Sequence, residues 1–388
     1  MPHQIIANSL LLPELNPLKV TFNRRFLSEY WLEKSKSGAV CTRCAQLSLS
    51  GYDRRWVKIK DAPIRGRFIT LRIKKRRYWC KTCKKPFTES IGGIMPKRRT
   101  TQRYRRGLFW ACENFSDLKR VKKAFGCSNG FVFNALYEQL ELKRRTRQNP
   151  WPESLGIDEH GFKKYKFASM IVDHKNKRLI EVVEGKSQAE LTQSLSYIPG
   201  RERVKKVTID MSDPYKNFIR DHFPNAHIIA DKFHVLRLLT PSLLKKRKEI
   251  TGTRAHQKAR RLLLMSSKNL DYFKRRALHD FLSQYPHLKE LYHWKEALHG
   301  FYRIHGYDRA SRAFQKIIDS MALSSLHEIK KLRRTLMKWK NEILNYFKFR
   351  ITNARVEGFN NVAKTIKKRS YGFRNFKNYR LRLLNACS

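Results

Sequence analysis

Acidic side chains are scarce in this sequence, with 32 Asp and Glu against 84 Lys and Arg and a formal charge of +52 over 388 residues. Each carboxylate is therefore informative. Asp158 falls in "GIDEHG", Asp210 ends the apolar run in "VTIDMSD", and Glu357 in "NARVEGFNN" is the only acid after Glu342. Two or three carboxylates converging from separate elements can hold a pair of Mg2+ (or Mn2+) ions about 4 Å apart, one activating an attacking oxygen and the other stabilising the leaving oxygen of a phosphodiester. Residue type alone leaves rivals open. Glu159, Asp213 and Asp231 are alternatives, although Asp213 before Pro214 reads as a helix cap and Asp173 before "HKNK" as a hairpin-turn residue. Glu357 could also be an ordinary charge on a solvated helix face.

The cysteines form a second constellation. Cys41 and Cys44 in "CTRC" and Cys80 and Cys83 in "CKTC" supply two Cys-x-x-Cys knuckles, the pattern by which a structural Zn2+ obtains four thiolates in a tetrahedron. Four unrelated cysteines are the plain alternative. A redox pair is disfavoured because neither knuckle sits in a βαβ pattern. Cys112, Cys127 and Cys387 are expected to be free thiols.

The elements that must position these groups differ along the chain. The knuckles are separated by β-prone pieces, "RWVKIKD" and "RFITLRIKKRRYW", with "APIRG" between them, as a zinc ribbon with an intervening hairpin requires. "SDLKRVKKAFGCSNGFVFNALYEQL" has the rhythm of a helix-turn-helix: Val121, Ala124 and Phe125 inward, Gly126 in the turn, Ser128 as N-cap, and Val132 and Leu136 inward again. Asn129, Gly130, Phe133 and Asn134 then face out, toward a major groove. Lys122 stands where a small buried residue is usual, so a plain helical hairpin is the alternative.

From residue 155 three strand-like runs, "LGIDEHG", "YKFASMIVD" and "RLIEVVEG", are joined by short polar turns. A helix capped by Ser187, a strand "VKKVTID", a helix opened by Pro214 and a strand "AHIIA" follow, which together read as a mixed sheet with helices on its faces. Asp158 then lies in the first strand of the sheet, and Asp210 ends a later strand, where α/β sheets bind ligands. Residues 238–348 carry only helical stripes, such as Leu288, Leu291, Tyr292 and Leu298, then Leu326, Ile329, Leu332, Leu336, Trp339 and Ile343. A last helix begins near Thr352. On it Asn353, Glu357, Asn360 or Asn361, and Lys364 share one side. Trp294 reads as a core residue or as a platform for an unpaired base.

Composition narrows the function. At 41% hydrophobic and 12% aromatic the chain can bury real cores, so it is a folded protein and not a basic tail. Its charge asks for a polyanion, and nucleic acid is the natural partner. The N-terminal apolar patch ends at Pro13 with no basic lead-in, and no apolar run reaches the ~20 residues of a membrane span. Secretion and membrane insertion are not expected, and the cysteines are expected reduced or metal-bound.

The motifs "FGCSNGFV", "GIDEHGFKK", "VVEG", "TIDMSDPYKNFI", "IIADKFHV" and "NARVEGFNNVAKTIKKRSYGFRNF", together with the two knuckles, resemble the ISL-three family of bacterial insertion-sequence transposases over nearly the whole chain. The resemblance implies a multidomain α+β protein. A zinc-ribbon domain would occupy 1–97, a helix-turn-helix DNA-binding domain 98–150, the first part of a ribonuclease-H-like mixed α/β catalytic core 151–237, an all-helical insertion 238–348, and the C-terminal catalytic helix with the end of the core 349–388. It implies a DDE-type transposase that binds the terminal inverted repeats of its element, with Asp158, Asp210 and Glu357 as catalytic acids and Mg2+ ligands and Lys364 gripping terminal DNA. Lys367, Lys368 and Arg369 are expected to hold DNA alongside Lys364, Asn129 and Asn134. Asp231 and His234 in "DKFH" resemble an Asp-x-x-His pair found in several transposase groups, and would support the site from behind or touch DNA. Element ends and target DNA are the implied partners, with a dimer on paired ends and a bacterial, cytoplasmic, nucleoid-associated location. A transposase-derived regulator without catalysis, or a nuclease or resolvase of the same fold, are the alternatives.

Overall fold

The computed structural model describes residues 12–22, 27–114, 117–146, 149–164, 166–252 and 257–388; most of the N-terminal apolar patch lies outside them. Two compact units divide the chain, Met1–Lys143 and Arg144–Ser388.

The first unit is built on strands β1 (Leu15–Phe22), β2 (Leu27–Lys34), β3 (Ala39–Val40), β4 (Leu47–Ser48), β5 (Gly51–Ile64), β6 (Arg67–Cys80) and β7 (Lys85–Thr88). A five-stranded sheet runs β1-β2-β6-β5 with β7 added to β6, while β3 and β4 form a separate ribbon. Strand alternation sends Ile59, Ile69, Leu71 and Ile73 into a core with Leu15 and Leu32. The expected "APIRG" loop is shorter in the structure, because Ala62–Ile64 stay in β5 and only Arg65 and Gly66 turn. Both have positive φ, 50° and 75°, the geometry of a tight hairpin turn that matches strand twist. The parallel pairing of β2 with β6 was not anticipated.

Three helices follow: α1 (Gln102–Asn114), α2 (Leu118–Phe125) and α3 (Asn129–Thr146). Asp117 caps α2 by accepting from Arg120 N, and Gly126 ends it in the left-handed region at φ 58°. Ser128 Oγ accepts from Phe131 N at 3.2 Å, opening α3. Val121, Val132 and Leu136 are buried, whereas Ala124 is exposed and Phe125 half-buried, so the inner face of α2 is narrower than expected. Asn129, Gly130, Phe133 and Asn134 are all exposed.

The second unit begins with β8 (Ser154–Lys163), β9 (Lys166–Asp173) and β10 (Arg178–Glu184), then α4 (Gln188–Leu195), β11 (Lys206–Ile209), α5 (Asp213–His222) and β12 (His227–Ala230). Its sheet has the order β10-β9-β8-β11-β12. β8 is antiparallel to β9 and β9 to β10, while β11 runs parallel to both β8 and β12. Ser187 and Glu190 close a capping box on α4. Asp173 accepts from Lys175 N at 2.9 Å and Asn176 N at 3.1 Å, as a turn residue should. Asp213 is the first helical residue of α5 and not its cap, a position Ser212 takes; its carboxylate pairs with Lys338 at 2.5 Å.

Helices α6 (Lys232–Arg237), α7 (Thr240–Thr251), α8 (Gln257–Leu264), α9 (Tyr272–Ser283), α10 (Pro286–Phe301), α11 (Tyr307–Ala322), α12 (His327–Lys338) and α13 (Lys340–Phe349) follow, then α14 (Ala354–Arg369) and α15 (Phe376–Ala386). The stripe from Leu326 to Ile343 is divided between α12 and α13, with Trp339 between them off the helical region at φ −107° and ψ 18°. Trp294 is buried in this core, its Nε1 3.4 Å from Glu290 Oε1, which favours the packing role over base stacking. Among the described residues no helix is long and apolar enough to cross a membrane.

Alternation in β8 divides its side chains between the two faces of the sheet. Leu155 and Ile157 join the core shared with α4, α5 and the insertion. Phe162 lies on the other side, in a core made with α14 and α15 through Val356, Ala363, Tyr379 and Leu383. Gly156 lets α14 approach: a Cβ there would lie 2.6 Å from both Asn353 Oδ1 and Val356 Cγ2.

Candidate active site and zinc-binding knuckles

Asp158, Asp231, His234, Asn353, Glu357, Asn360 and Lys364 line one cavity of about 280 Å³ in the second unit, with Lys232 and Arg237 also on its wall. Two of the three expected acids therefore share a wall. Asp210 is not on that lining, and its connection to the others is electrostatic. Burial first, and the charge of Asp158 next, push its carboxyl up to about 6. Burial also raises Asp158 above the ordinary carboxylate range, opposed chiefly by His234. Asp210 Oδ1 is buried with no hydrogen-bond partner. Among the described residues Glu357 is exposed and forms no ion pair, with Lys364 or any other cation.

One oxygen of Asp158 is aimed by α14 and the other by the strand that carries it. Asn360 Nδ2 donates to Asp158 Oδ2 at 3.0 Å, and Glu159 N donates to Asp158 Oδ1 at 2.8 Å. Of the two asparagines expected on that side, Asn360 takes the role. Asn361 is exposed and accepts from Lys364 Nζ at 3.4 Å.

Asn353, just ahead of α14, ties all the acid-bearing elements together. Its N–H donates to Asp231 Oδ1 at 2.9 Å, and its Nδ2 donates to the carbonyl of Ile157, next to Asp158, at 3.0 Å. Its Oδ1 accepts from Thr208 Oγ1, two residues before Asp210, at 2.6 Å. Its carbonyl accepts from Glu357 N at 3.1 Å. Thr208 spends its single proton on Asn353, so His174 Nε2, 2.7 Å away, must be the donor in that contact. That agrees with burial lowering the His174 imidazole to about 4, which keeps it neutral. Thr208 and His174 were not singled out in the sequence, where an isolated Thr in a strand and a His in a turn carry no visible signal. Asp231 Oδ2 lies 3.0 Å from His234 Nδ1, and that bond is the main reason the His234 imidazole is raised.

The donor set fits a divalent cation. A buried carboxylate oxygen without a partner, a neighbouring carboxylate whose charge raises its pKa, and a third carboxylate free of ion pairs are what a hard cation with oxygen ligands relieves. The three acids do not lie within the 4.8 Å mutual spacing that the cysteines reach. Of the expected DNA contacts, Lys364 is on the cavity wall. Lys367 Nζ donates to the Gly161 carbonyl at 2.6 Å, while Lys368 and Arg369 are exposed at the end of α14. Asn129 and Asn134 belong to the first unit.

In the first unit, Cys41, Cys44, Cys80 and Cys83 bring their sulfurs within 4.8 Å of one another. Cys41 follows β3, and Cys80 ends β6, which the β5–β6 hairpin returns to the knuckle. Backbone N–H groups of Arg43 and Cys44 lower Cys41 to about 6, while Cys83 is pushed up to about 12, chiefly by sharing a proton with Cys44. Four thiols this close cannot all ionise unaided, and Zn2+ resolves the conflict by holding all four as thiolates.

Comparison with known proteins bears on both sites. A family described as "zinc-finger of transposase IS204/IS1001/IS1096/IS1165" matches residues 37–83, which include all four cysteines. This match and the cysteine cluster together support a structural zinc. Over 379 residues the chain is 25% identical to "Transposase for insertion sequence element IS1001" of Bordetella parapertussis, covering 93% of this chain and 92% of that protein. A second family, described as "Transposase", matches residues 155–383, more than half the chain and the stretch that holds Asp158, Asp210 and Glu357; the chain thus belongs to the ISL-three family of transposases.

Proposed function

We propose that this chain is a DDE-type transposase that binds the terminal inverted repeats of its own insertion sequence, cuts there, and joins the freed 3′-hydroxyls to target DNA. The observation that carries the reading is Asp210. Its orphaned buried oxygen and raised carboxyl beside Asp158 are poorly suited to a structural role and well suited to a metal ligand. Asp158, Asp210 and Glu357 would hold Mg2+ or Mn2+, which supplies Lewis-acid activation of the attacking oxygen and stabilisation of the leaving oxygen at phosphorus. The chain's own residues do the positioning. Asn360 orients Asp158, and Asn353 fixes the start of α14, and with it Glu357, against Ile157 and Thr208. The Asp231–His234 pair holds the His234 imidazole in the cavity wall with Asp158, its pKa raised chiefly by the Asp231 bond, where it would support the acids. Lys364 would bind a phosphate of the terminal DNA.

The sheet order β10-β9-β8-β11-β12, in which β9 alone runs antiparallel to the other strands, supports a ribonuclease-H-like core. The capped turn at Gly126 and the exposed Asn129 and Asn134 support a helix-turn-helix that reads the ends. The domain limits follow the sequence reading: ribbon 1–97, helix-turn-helix 98–150, core 151–237 and 349–388, insertion 238–348. Action as a dimer on paired ends, in the bacterial cytoplasm at the nucleoid, completes the proposal. A supercoiled plasmid carrying the element ends, with Mg2+, tests it: the wild type should cut and join, and Glu357→Gln should bind the ends and do neither. Normal cutting by Glu357→Gln would return Glu357 to a surface charge. Cutting without joining by the wild type would favour a nuclease, and binding alone a regulator.

A further inference from the structure

A second cavity of the catalytic unit, about 500 Å³, opens where the β8–β9 turn meets the start of α15. None of its lining residues lines the acid cavity. Its wall carries five cations, Lys163, Lys166, Arg374, Lys377 and Arg380, against the single acid Glu184. The arrangement is built and not a loose patch. Lys163 Nζ donates to the Arg374 carbonyl at 2.9 Å, fastening the turn to the segment before α15. Phe162 and Phe376 form the floor, their rings edge to face at 5.2 Å. Arg380 is gripped through Nε and Nη2 by the buried carboxylate of Glu181, so one guanidinium is fixed before any ligand arrives. Arg374 and Lys377 are exposed and form no ion pair among the described residues.

We propose that this cavity binds backbone phosphates of duplex DNA about five base pairs from the phosphate being cut. The proposal rests on the transposase reading above and adds to it a second anchoring point. Five residues of β8 separate Lys163 from Asp158, about 16 Å at roughly 3.3 Å per residue. A duplex lying along β8 advances about 3.4 Å per base pair, so the cavity meets the backbone about five steps from the acids. Concavity lets several cations face one or two phosphates at once, and an aromatic floor lowers the local dielectric beneath them. The contact carries no sequence information. It fixes the register in which the cut phosphate reaches Asp158, Asp210 and Glu357.

The test uses the full chain and a duplex of the inverted-repeat end with neutral methylphosphonate linkages at steps four to six from the cut phosphate, or at the same number of linkages further inside. The wild type should bind the first duplex more weakly than the second. Arg374→Glu with Lys377→Glu should weaken binding to end and unrelated DNA alike, reduce the slope of log affinity against log salt by about 2, and become indifferent to linkages four to six. Lys330→Glu with Lys331→Glu, an equal charge change on exposed α12 residues, controls for net charge, and thermal melting confirms folding. The proposal is overturned if both double variants titrate alike, if the wild type ignores linkages four to six, or if inorganic phosphate at millimolar concentration displaces nothing while the cavity variant keeps its full salt slope. Failure of the transposase reading looks different: the wild type itself would neither prefer the ends nor cut them.

Discussion

Asp210→Asn should make the metal-free protein more stable. The Asp210 carboxyl is raised from 3.8 to about 6 by burial and by Asp158. Between those values the folded state retains a proton that the unfolded chain has released. Stability therefore falls as pH rises through that window, and the whole penalty is present above about pH 6. At about 1.4 kcal/mol per pH unit the displacement sets an upper figure of about 3 kcal/mol, which partial solvent contact reduces to about 2 kcal/mol. Asparagine keeps the shape and carries no charge, so it escapes the penalty. For a unit of this size the gain corresponds to a rise in Tm of roughly 4–8 °C. Calorimetry without added Mg2+ at about pH 7.5 should show it, and at about pH 4, where Asp210 is protonated anyway, the two proteins should converge. Mg2+ should stabilise the wild type and leave the variant unmoved. Equal or lower stability of Asp210→Asn at neutral pH, or a gain that persists unchanged at low pH, would refute the argument.

Three further outcomes are expected. Asn353→Ala keeps the backbone N–H to Asp231 but leaves Thr208 and the Ile157 carbonyl short of a partner and loosens the start of α14; it should lower stability by about 1–3 kcal/mol and reduce cutting more than end binding, as a plasmid assay beside a gel-shift titration would show. Chelation of zinc should unfold the first unit, and metal analysis of Cys80→Ser should find its zinc lost; full occupancy would remove Cys80 from the ligand set. Lys364→Ala should weaken engagement of the ends while retaining some Mg2+-dependent cleavage, measured as separate binding and nicking curves.

What the sequence made legible was whatever depends on local signals. The knuckle spacing, the Ser187 cap, the alternation in β8 and the scarcity of acids all act over a few residues. The pairing of β2 with β6 depends on contacts some forty residues apart, for which the strand pattern of residues 27–34 gives no partner. The break at Trp339 was invisible because its apolar spacing continues the helical rhythm across a non-helical residue. The network at Asn353 was half visible: the helical wheel placed Asn353 and Asn360 beside Glu357, yet nothing local could show that Thr208, Ile157 and Asp231 would meet them. Ala124 misled because a small apolar residue is tolerated on a solvated face as readily as in a core.

Chain order at the acid cavity carries one more consequence. Asp158 and Asp210 emerge early, whereas Glu357 arrives only after the whole helical insertion, on α14, which with α15 covers Met170, Val172, Leu179 and Val182. A polypeptide interrupted within the insertion therefore lacks its third acid and at the same time bares an apolar sheet face that invites proteolysis. Under the proposed role of Glu357, completion of the site and covering of that sheet face are acquired in one step.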